Sequence, residues 1–317
     1  MKKIIITGAN GFVANHFINF LEEQKIASEI LGIDIVDQPT KLSFKHVKYQ
    51  FIKQDLLDIE KIDNILFNFQ SEYVLHLASY SSVAYSWKNP VVSFKNNMNI
   101  YLNLIETIRR YKLKTRVLSV GSSEEYGNIN VADLPLRETS KLDPLSPYAV
   151  ARVSQEMLSK IYSFAYGQDI VMTRSFNHIG PGQSDLFVIS SFVKQIVEKT
   201  KNGQCRIILK TGNMDIVRDF LDVRDVVKAY WLLLEKGQQG EIYNVCSGKS
   251  HSLHQIVNII ASLLNVEVIC DVDPSFIRPN DNNVIVGSYE KLHGCTGWAP
   301  ELKLENSLAD IINYWKA

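Results

Sequence analysis

The sequence predicts a doubly wound α/β fold, a parallel sheet with helices on both faces, carrying a smaller mixed α/β C-terminal lobe. Three observations predict it. The chain opens on an apolar run, Ile4 to Ile6, that passes through Thr7-Gly8-Ala9-Asn10-Gly11 straight into a helical pattern. Short apolar runs then alternate with helical patterns through the first half, the signature of parallel strands joined by crossover helices. With 317 residues, 46% of them apolar, the chain can bury a large core in one domain or two lobes.

The elements follow in order. Residues 3–6 read as the first strand and 12–24 as the first helix. Strands are predicted over 30–34, 47–53, 73–78, 116–120 and 170–174, with long helices over 93–111 and 147–166. After Arg174 the composition changes. Phe176 to Gln183, FNHIGPGQ, is a turn-rich loop, followed by a helix over 187–200 and a strand over 206–210. The stretch FLDVRDVVKAYWLLLEKG reads as an amphipathic helix, and EIYNVCSG as one more strand of the main sheet. A short helix, a Pro-rich loop and a terminal helix complete the chain. The expected division is a dinucleotide-binding domain over 1–174, to which 213–246 returns, and a lobe made of 175–212 and 247–317.

Charge and cysteines narrow the class. Lys and Arg total 34, Asp and Glu total 34, and no long like-charge block occurs, so nothing electrostatic points to nucleic acid or a membrane surface. No run of 18 apolar residues occurs, which argues against a bilayer span. The apolar run at the start is too short for a signal peptide. Cys205, Cys246, Cys270 and Cys295 show no Cys-x-x-Cys pairing and read as buried thiols in a reducing, cytoplasmic compartment. His251 and His254 lack a third ligand pattern, so no metal site is expected.

Several residues carry chemistry. Gly8 and Gly11, with Ala14, let the backbone turn tightly and approach a pyrophosphate at a helix N-terminus. Asp34 ends the second strand, where a carboxylate can accept both ribose hydroxyls of an adenosine and repels a 2′-phosphate. That favours NAD(H), with NADP(H) still possible. Asp55 after the third strand suits adenine contact or a helix N-cap equally well. Ser122 lies past the fifth strand, where its hydroxyl can hold a substrate carbonyl. Tyr148 and Arg152 are four apart on one helix face. A phenol ordinarily ionises near pH ~10, so acid/base work at neutral pH needs a neighbouring cation. Glu124, two residues past Ser122, reads equally as a second acid/base group or an exposed turn acid. Arg218 and Arg278 are single arginines of the type that clamps phosphate, though each alone is more often a surface residue.

From TGANGF through SSEEYG, PYAVAR, FNHIGPGQSDLFVISSFVKQI, RDFLDVRDVVKAYWLL, IYNVCSG and TGW, the chain resembles the nucleotide-sugar-modifying extended short-chain dehydrogenases/reductases, a Rossmann family. The likeness is strongest to the GDP-6-deoxy-4-keto-D-mannose reductases, which form GDP-D-rhamnose. The resemblance implies that Gly8, Asn10, Gly11, Phe12 and Val13 hold the cofactor pyrophosphate, and that Asp34, Asp55 and Leu56 surround its adenosine. Leu77, Ala78, Ser79, Asn97 and Phe176 would line the cofactor. Ser122, Tyr148 and Arg152 would stand at the reacting carbon. Ser81, Ser82, Ser123 and Glu124 would face the sugar, and Asn177, Val188, Lys194, Arg218 and Arg278 the nucleoside diphosphate. One departure stands out: the family writes Tyr-x-x-x-Lys where this chain has Arg152.

The expected activity is NAD(P)H-dependent reduction of the C4 keto group of a GDP-4-keto-6-deoxy-hexose or a related heptose. The alternative is a 4,6-dehydratase or 4-epimerase that keeps and recycles its NAD. Ser123 argues against the dehydratase, because many such enzymes place Asp there. A third reading, supported by Arg152 alone, is a cofactor-binding sensor without turnover. Helices 93–111 and 147–166 carry apolar residues beyond a single stripe, among them Ile100, Leu104, Ile161 and Phe164. The family likeness suggests a four-helix interface between two copies.

Overall fold

The computed structural model describes residues 1–37, 44–276 and 282–317. Along them the chain runs β1 (Lys2–Thr7), α1 (Phe12–Glu23), β2 (Ser28–Asp34), β3 (Val47–Lys53), α2 (Ile59–Phe69), β4 (Tyr73–His76), α3 (Val83–Lys88), α4 (Pro90–Arg110), β5 (Arg116–Ser122), α5 (Pro147–Tyr166), β6 (Ile170–Ser175), β7 (Asn177–Ile179), α6 (Val188–Lys201), β8 (Arg206–Thr211), β9 (Val217–Asp222), α7 (Val223–Lys236), β10 (Ile242–Val245), β11 (Ser250–Ser252), α8 (Leu253–Leu264), β12 (Glu267–Val272), β13 (Val284–Ile285), α9 (Glu290–Thr296) and α10 (Leu304–Lys316).

Seven strands form the main sheet in the order β10-β6-β5-β4-β1-β2-β3, and every neighbouring pair is parallel. The expected doubly wound α/β class is what the chain adopts. Its central strands are apolar on both faces because helices cover both. α1 and α7 pack on one face through Phe17, Leu21, Val226, Tyr230 and Leu233. α2, α4 and α5 cover the other, with Leu66, Ile100, Leu104 and Ile105 in its core. Each such side chain contributes about 1.5–3 kcal/mol when fully buried. The strand order reverses between β1 and β4, and in open sheets of this kind ligands bind beyond the strand C-termini at that point.

A second layer follows Ser175. β9 lies between β11 and β13 and also pairs with β7, while β8 and β12 form a separate two-stranded ribbon. α6, α8 and α10 close over these strands, with Phe192, Val193, Ile207, Leu209, Ile256 and Ile311 buried together.

Some elements differ from the sequence expectation. Phe220–Asp222, expected to open a helix, instead end strand β9 (Val217–Asp222), because they are buried and pair in parallel with β7. The helix begins only at Val223, where Asp222 accepts from the Arg224 amide. α2 and α3 were not anticipated, although Asp58 and Ser82 cap them in the ordinary way. α4 starts at Pro90, which occupies its first turn, three residues earlier than expected. β4 ends at His76, yet the chain stays alongside β1 because Leu77 and Ala78 donate to the Thr7 carbonyl and hydroxyl. The four cysteines are not uniformly buried: Cys246 is buried, Cys270 and Cys295 are half-buried and Cys205 is exposed.

Candidate active site

The turn after β1 is shaped to admit a bound phosphate. Gly8 has φ +71°, and a Cβ there would sit 2.9 Å from the Ala78 amide nitrogen. Glycine alone permits both the conformation and the approach. Gly11 caps α1 with no side-chain hydrogen bond, and the first turn carries no acid. No acid within the first turn of α1 therefore competes for its N-terminal N–H groups. The Asp34 carboxylate accepts from the Asn10 amide at 3.0 Å and the Val36 amide at 3.1 Å, tying the glycine turn to the end of β2. Each of its oxygens keeps capacity for a further donor. Beside this turn, the Thr7 hydroxyl and His76 Nδ1 share a hydrogen bond of 2.9 Å. Burial, with Arg152 nearby, pushes that imidazole down to about 3, so it stays neutral. These residues fit a dinucleotide.

Tyr148 and Arg152 meet as the spacing predicts. Arg152 Nε donates to Tyr148 Oη at 3.1 Å, and the guanidinium lies 5.2 Å from the ring centroid. The rest of the fork is engaged by the protein. Nη1 donates to the Val120 carbonyl at 3.0 Å and to Gln155 Oε1 at 2.7 Å, and Nη2 donates to Ser79 Oγ at 2.6 Å. Gln155 in turn donates to Ser119 Oγ at 2.8 Å. One cation on α5 thus links the ends of β4 and β5. Sequence reading missed Gln155; its spacing of three from Arg152 was the available signal.

Ser122 is the last residue of β5 and the cap of a single 3-10 turn, Ser123–Tyr126. Its hydroxyl accepts from the Glu124 amide at 3.2 Å, which leaves its own proton to donate. Its backbone N–H donates to Glu125 Oε1 at 2.7 Å. Glu125 was not singled out in the sequence. It is fully buried, beside Glu156 and Arg174. Desolvation, then the neighbouring Glu156 carboxylate, pushes Glu125 up to about 8.

With this geometry in place, comparison with known proteins decides the family. Residues 5–311 match the family described as GDP-mannose 4,6 dehydratase. The chain belongs to that family, within the extended short-chain dehydrogenases/reductases. A GDP-6-deoxy-D-mannose reductase of Pseudomonas aeruginosa is 31% identical over 316 residues, covering 100% of this chain and 98% of that one. The structure of RMD from Pseudomonas aeruginosa complexed with NADPH superposes with a TM-score of 0.85 at 30% identity, covering 100% and 98% of the two chains. A Thermus thermophilus UDP-glucose 4-epimerase complexed with NAD gives 0.86 at 25% identity, covering 99% of each.

The remaining residues of this nucleotide-sugar enzyme take varied positions. Phe12 and Val13 lie in the first turn of α1, and Phe12 packs edge-on to His16, which bonds the Pro181 carbonyl. The turn is thereby joined to the FNHIGPGQ loop. Asp55 is not a helix cap: it accepts from the Leu57 amide at 2.9 Å, and Asp58 caps α2. Leu56 is buried, its carbonyl bonded by Asn103. Asn97 is buried and exchanges hydrogen bonds with the Tyr80 backbone, holding the loop that carries Ser79 and Ser81. Ser82 caps α3. Ser123 is buried at the head of the 3-10 turn. Phe176 packs with Tyr126, Leu136 and Cys246. Asn177 opens β7 and Val188 opens α6. Lys194 pairs with Asp185 at 2.7 Å. Arg218 donates to the carbonyls of Val217 and Asn282. Arg278 lies outside the described residues. A buried carboxylate that sequence reading passed over, Asp219, accepts from the amides of Ser247, Gly248 and Gly287 and from the Ser247 hydroxyl, joining β9 to the loops around it. No cluster of potential metal ligands occurs among the described residues.

Proposed function

We propose that this enzyme reduces the C4 keto group of a GDP-4-keto-6-deoxy-hexose, or a related heptose, at the Ser122/Tyr148/Arg152 site. The observation that carries the reading is the Arg152-to-Tyr148 hydrogen bond at 3.1 Å, with Arg152 also bonded to the strand that ends in Ser122. Likeness to the Pseudomonas reductase over the whole chain supports the sugar. When bound, the nicotinamide supplies the hydride. Tyr148 gives its phenolic proton to the oxygen at C4 as charge develops there, and Ser122 donates a hydrogen bond to the same oxygen. Arg152 stabilises the phenolate that remains.

Asn177, Val188, Lys194 and Arg278, in the lobe formed by 175–212 and 247–317, hold the nucleoside diphosphate together with Arg218. Ser81, Ser82, Ser123 and Glu124 face the sugar. Asp34 selects NAD(H), since repulsion of a 2′-phosphate at close range is worth on the order of 1–4 kcal/mol. The enzyme works in the cytoplasm as a homodimer. Support comes from its free thiols and from the apolar residues exposed on α4 and α5.

The second reading, a 4,6-dehydratase or 4-epimerase with recycled NAD, draws on Glu124 beside Ser122 and on the epimerase likeness. Incubation with NADH and a panel of NDP-4-keto sugars, with products identified by NMR, separates them. A reductase oxidises one NADH per product. Conversion without net oxidation would assign the second reading. For the cofactor, kcat/KM should favour NADH over NADPH, and Asp34→Ser should narrow the gap. A tenfold preference for NADPH in the wild type would refute the role of Asp34.

A further inference from the structure

Glu125 is built into the strand end that carries the reacting hydroxyl. Its Oε1 accepts the Ser122 N–H at 2.7 Å. The residue before Ser122 is Gly121, and a Cβ there would collide with Glu125 Oε1 and with the Thr173 carbonyl. The strand has therefore given up a side chain to let this carboxyl reach its backbone. Glu125 is 0% exposed, and its Oε2 has no hydrogen-bond partner among the described residues.

The charged groups around it are few. β6 presents Arg174, whose Nε is 4.0 Å from Glu125 and 2.8 Å from Glu156. Arg174 gives two hydrogen bonds to Glu156 and stacks on Tyr126 of the same 3-10 turn. α5 presents Glu156, which Lys160 also contacts from the solvent side. Arg174 is thus already committed, and a second buried carboxylate would lack a donor for Oε2.

We propose that Glu125 is a positioning residue that, as an uncharged acid, holds the main chain of Ser122 so that its hydroxyl meets the substrate oxygen. The proposal rests on the reading of Ser122 as the substrate-oxygen donor. If Glu125 ionises, its Oε2, already 4.0 Å from Arg174 Nε, is drawn closer to that guanidinium and away from the Ser122 turn, so activity falls on the alkaline side. The raised ionisation of Glu125 agrees with this.

Two substitutions and two readouts test it. Glu125→Gln keeps an acceptor for the Ser122 N–H and cannot ionise. Glu125→Leu keeps the volume and removes the acceptor. The Gln variant is expected within about threefold of wild-type kcat near neutral pH, and to lack part of the wild-type alkaline decline. The Leu variant is expected to lose about 30-fold or more in kcat with KM within about threefold, a barrier change of ~2 kcal/mol. Hydrogen exchange of the Ser122 amide supplies the readout independent of turnover. Protection should survive in Gln and fall in Leu. Equal kcat in the Leu variant, identical alkaline limbs in wild type and Gln variant, or unchanged Ser122 protection in Leu would each overturn the role. Should the wild type turn over no 4-keto sugar, the reductase reading fails, and the exchange measurement still decides whether Glu125 positions Ser122.

Discussion

At residue scale, Arg152 is held by four hydrogen bonds in a site where it is only 6% exposed. A lysine can supply the charge beside Tyr148 but has no planar fork to satisfy Val120, Gln155 and Ser79 together. Arg152→Lys is therefore expected to keep kcat/KM within about tenfold, ~1.4 kcal/mol, while losing ~1–3 kcal/mol of stability in urea as buried acceptors go unpaired. Arg152→Met should lose at least about 100-fold, near 2.7 kcal/mol. Wild-type turnover in the Met variant would remove Arg152 from the catalytic assignment. Tyr148, Arg152 and Ser122 were readable in the sequence because their spacing and their place after predicted strands carry the signal. Glu125 and Glu156 were not, since a glutamate in a turn or on a helix looks like a surface residue until the strand pairing buries it.

At the scale of elements, the end of β5 combines a glycine, a cap and a buried acid within five residues. Its pH dependence has a defined sign. Glu125 is raised in the fold from its ordinary 4.5 to about 8. Its contribution to stability is present below the unfolded value and is lost as pH rises toward the folded one. Glu156, held low because Arg174 outweighs its desolvation, acts in the opposite sense and only on the acid side. Denaturant titrations should therefore show Glu125→Gln gaining on the wild type from about pH 5 to about pH 8. A gap that stayed constant across that range would contradict a neutral Glu125. β9 teaches a related lesson in the opposite direction. The VRDVVKAYWLL pattern extends the helical signal backwards over Phe220 and Leu221, but burial and pairing with β7 override it.

At the scale of the whole molecule, α4 and α5 pack on each other and on the sheet, yet both keep apolar residues outside. Ile100 and Leu104, expected at a subunit contact, are instead in the core. Phe164 is 95% exposed, Ile161 54% and Val91 75%, with Trp87 of α3 also partly open. Such a surface favours a partner. Light scattering at micromolar protein should give twice the chain mass of 36.1 kDa, and Phe164→Asp with Ile161→Asp should lower it toward one chain. A monomeric wild type would remove the dimer from the proposal. No helix among the described residues is long and apolar enough to cross a membrane.

The sequence by itself determined the parallel sheet, the glycine turn at its first strand and the Tyr148–Arg152 pair. Each of these is written in local spacing, as apolar periodicity, a turn composition or a four-residue interval on one helix. Tertiary structure alone decided that 217–222 is a strand, that Asn97 braces a loop, that Gln155 completes the setting of Arg152 and that Glu125 lies beneath Ser122. Those outcomes depend on which distant segments come together, from β6 against β5 to β9 among its partners, and on the desolvation that follows. Neither the contacts nor the loss of water is encoded in any short stretch of chain.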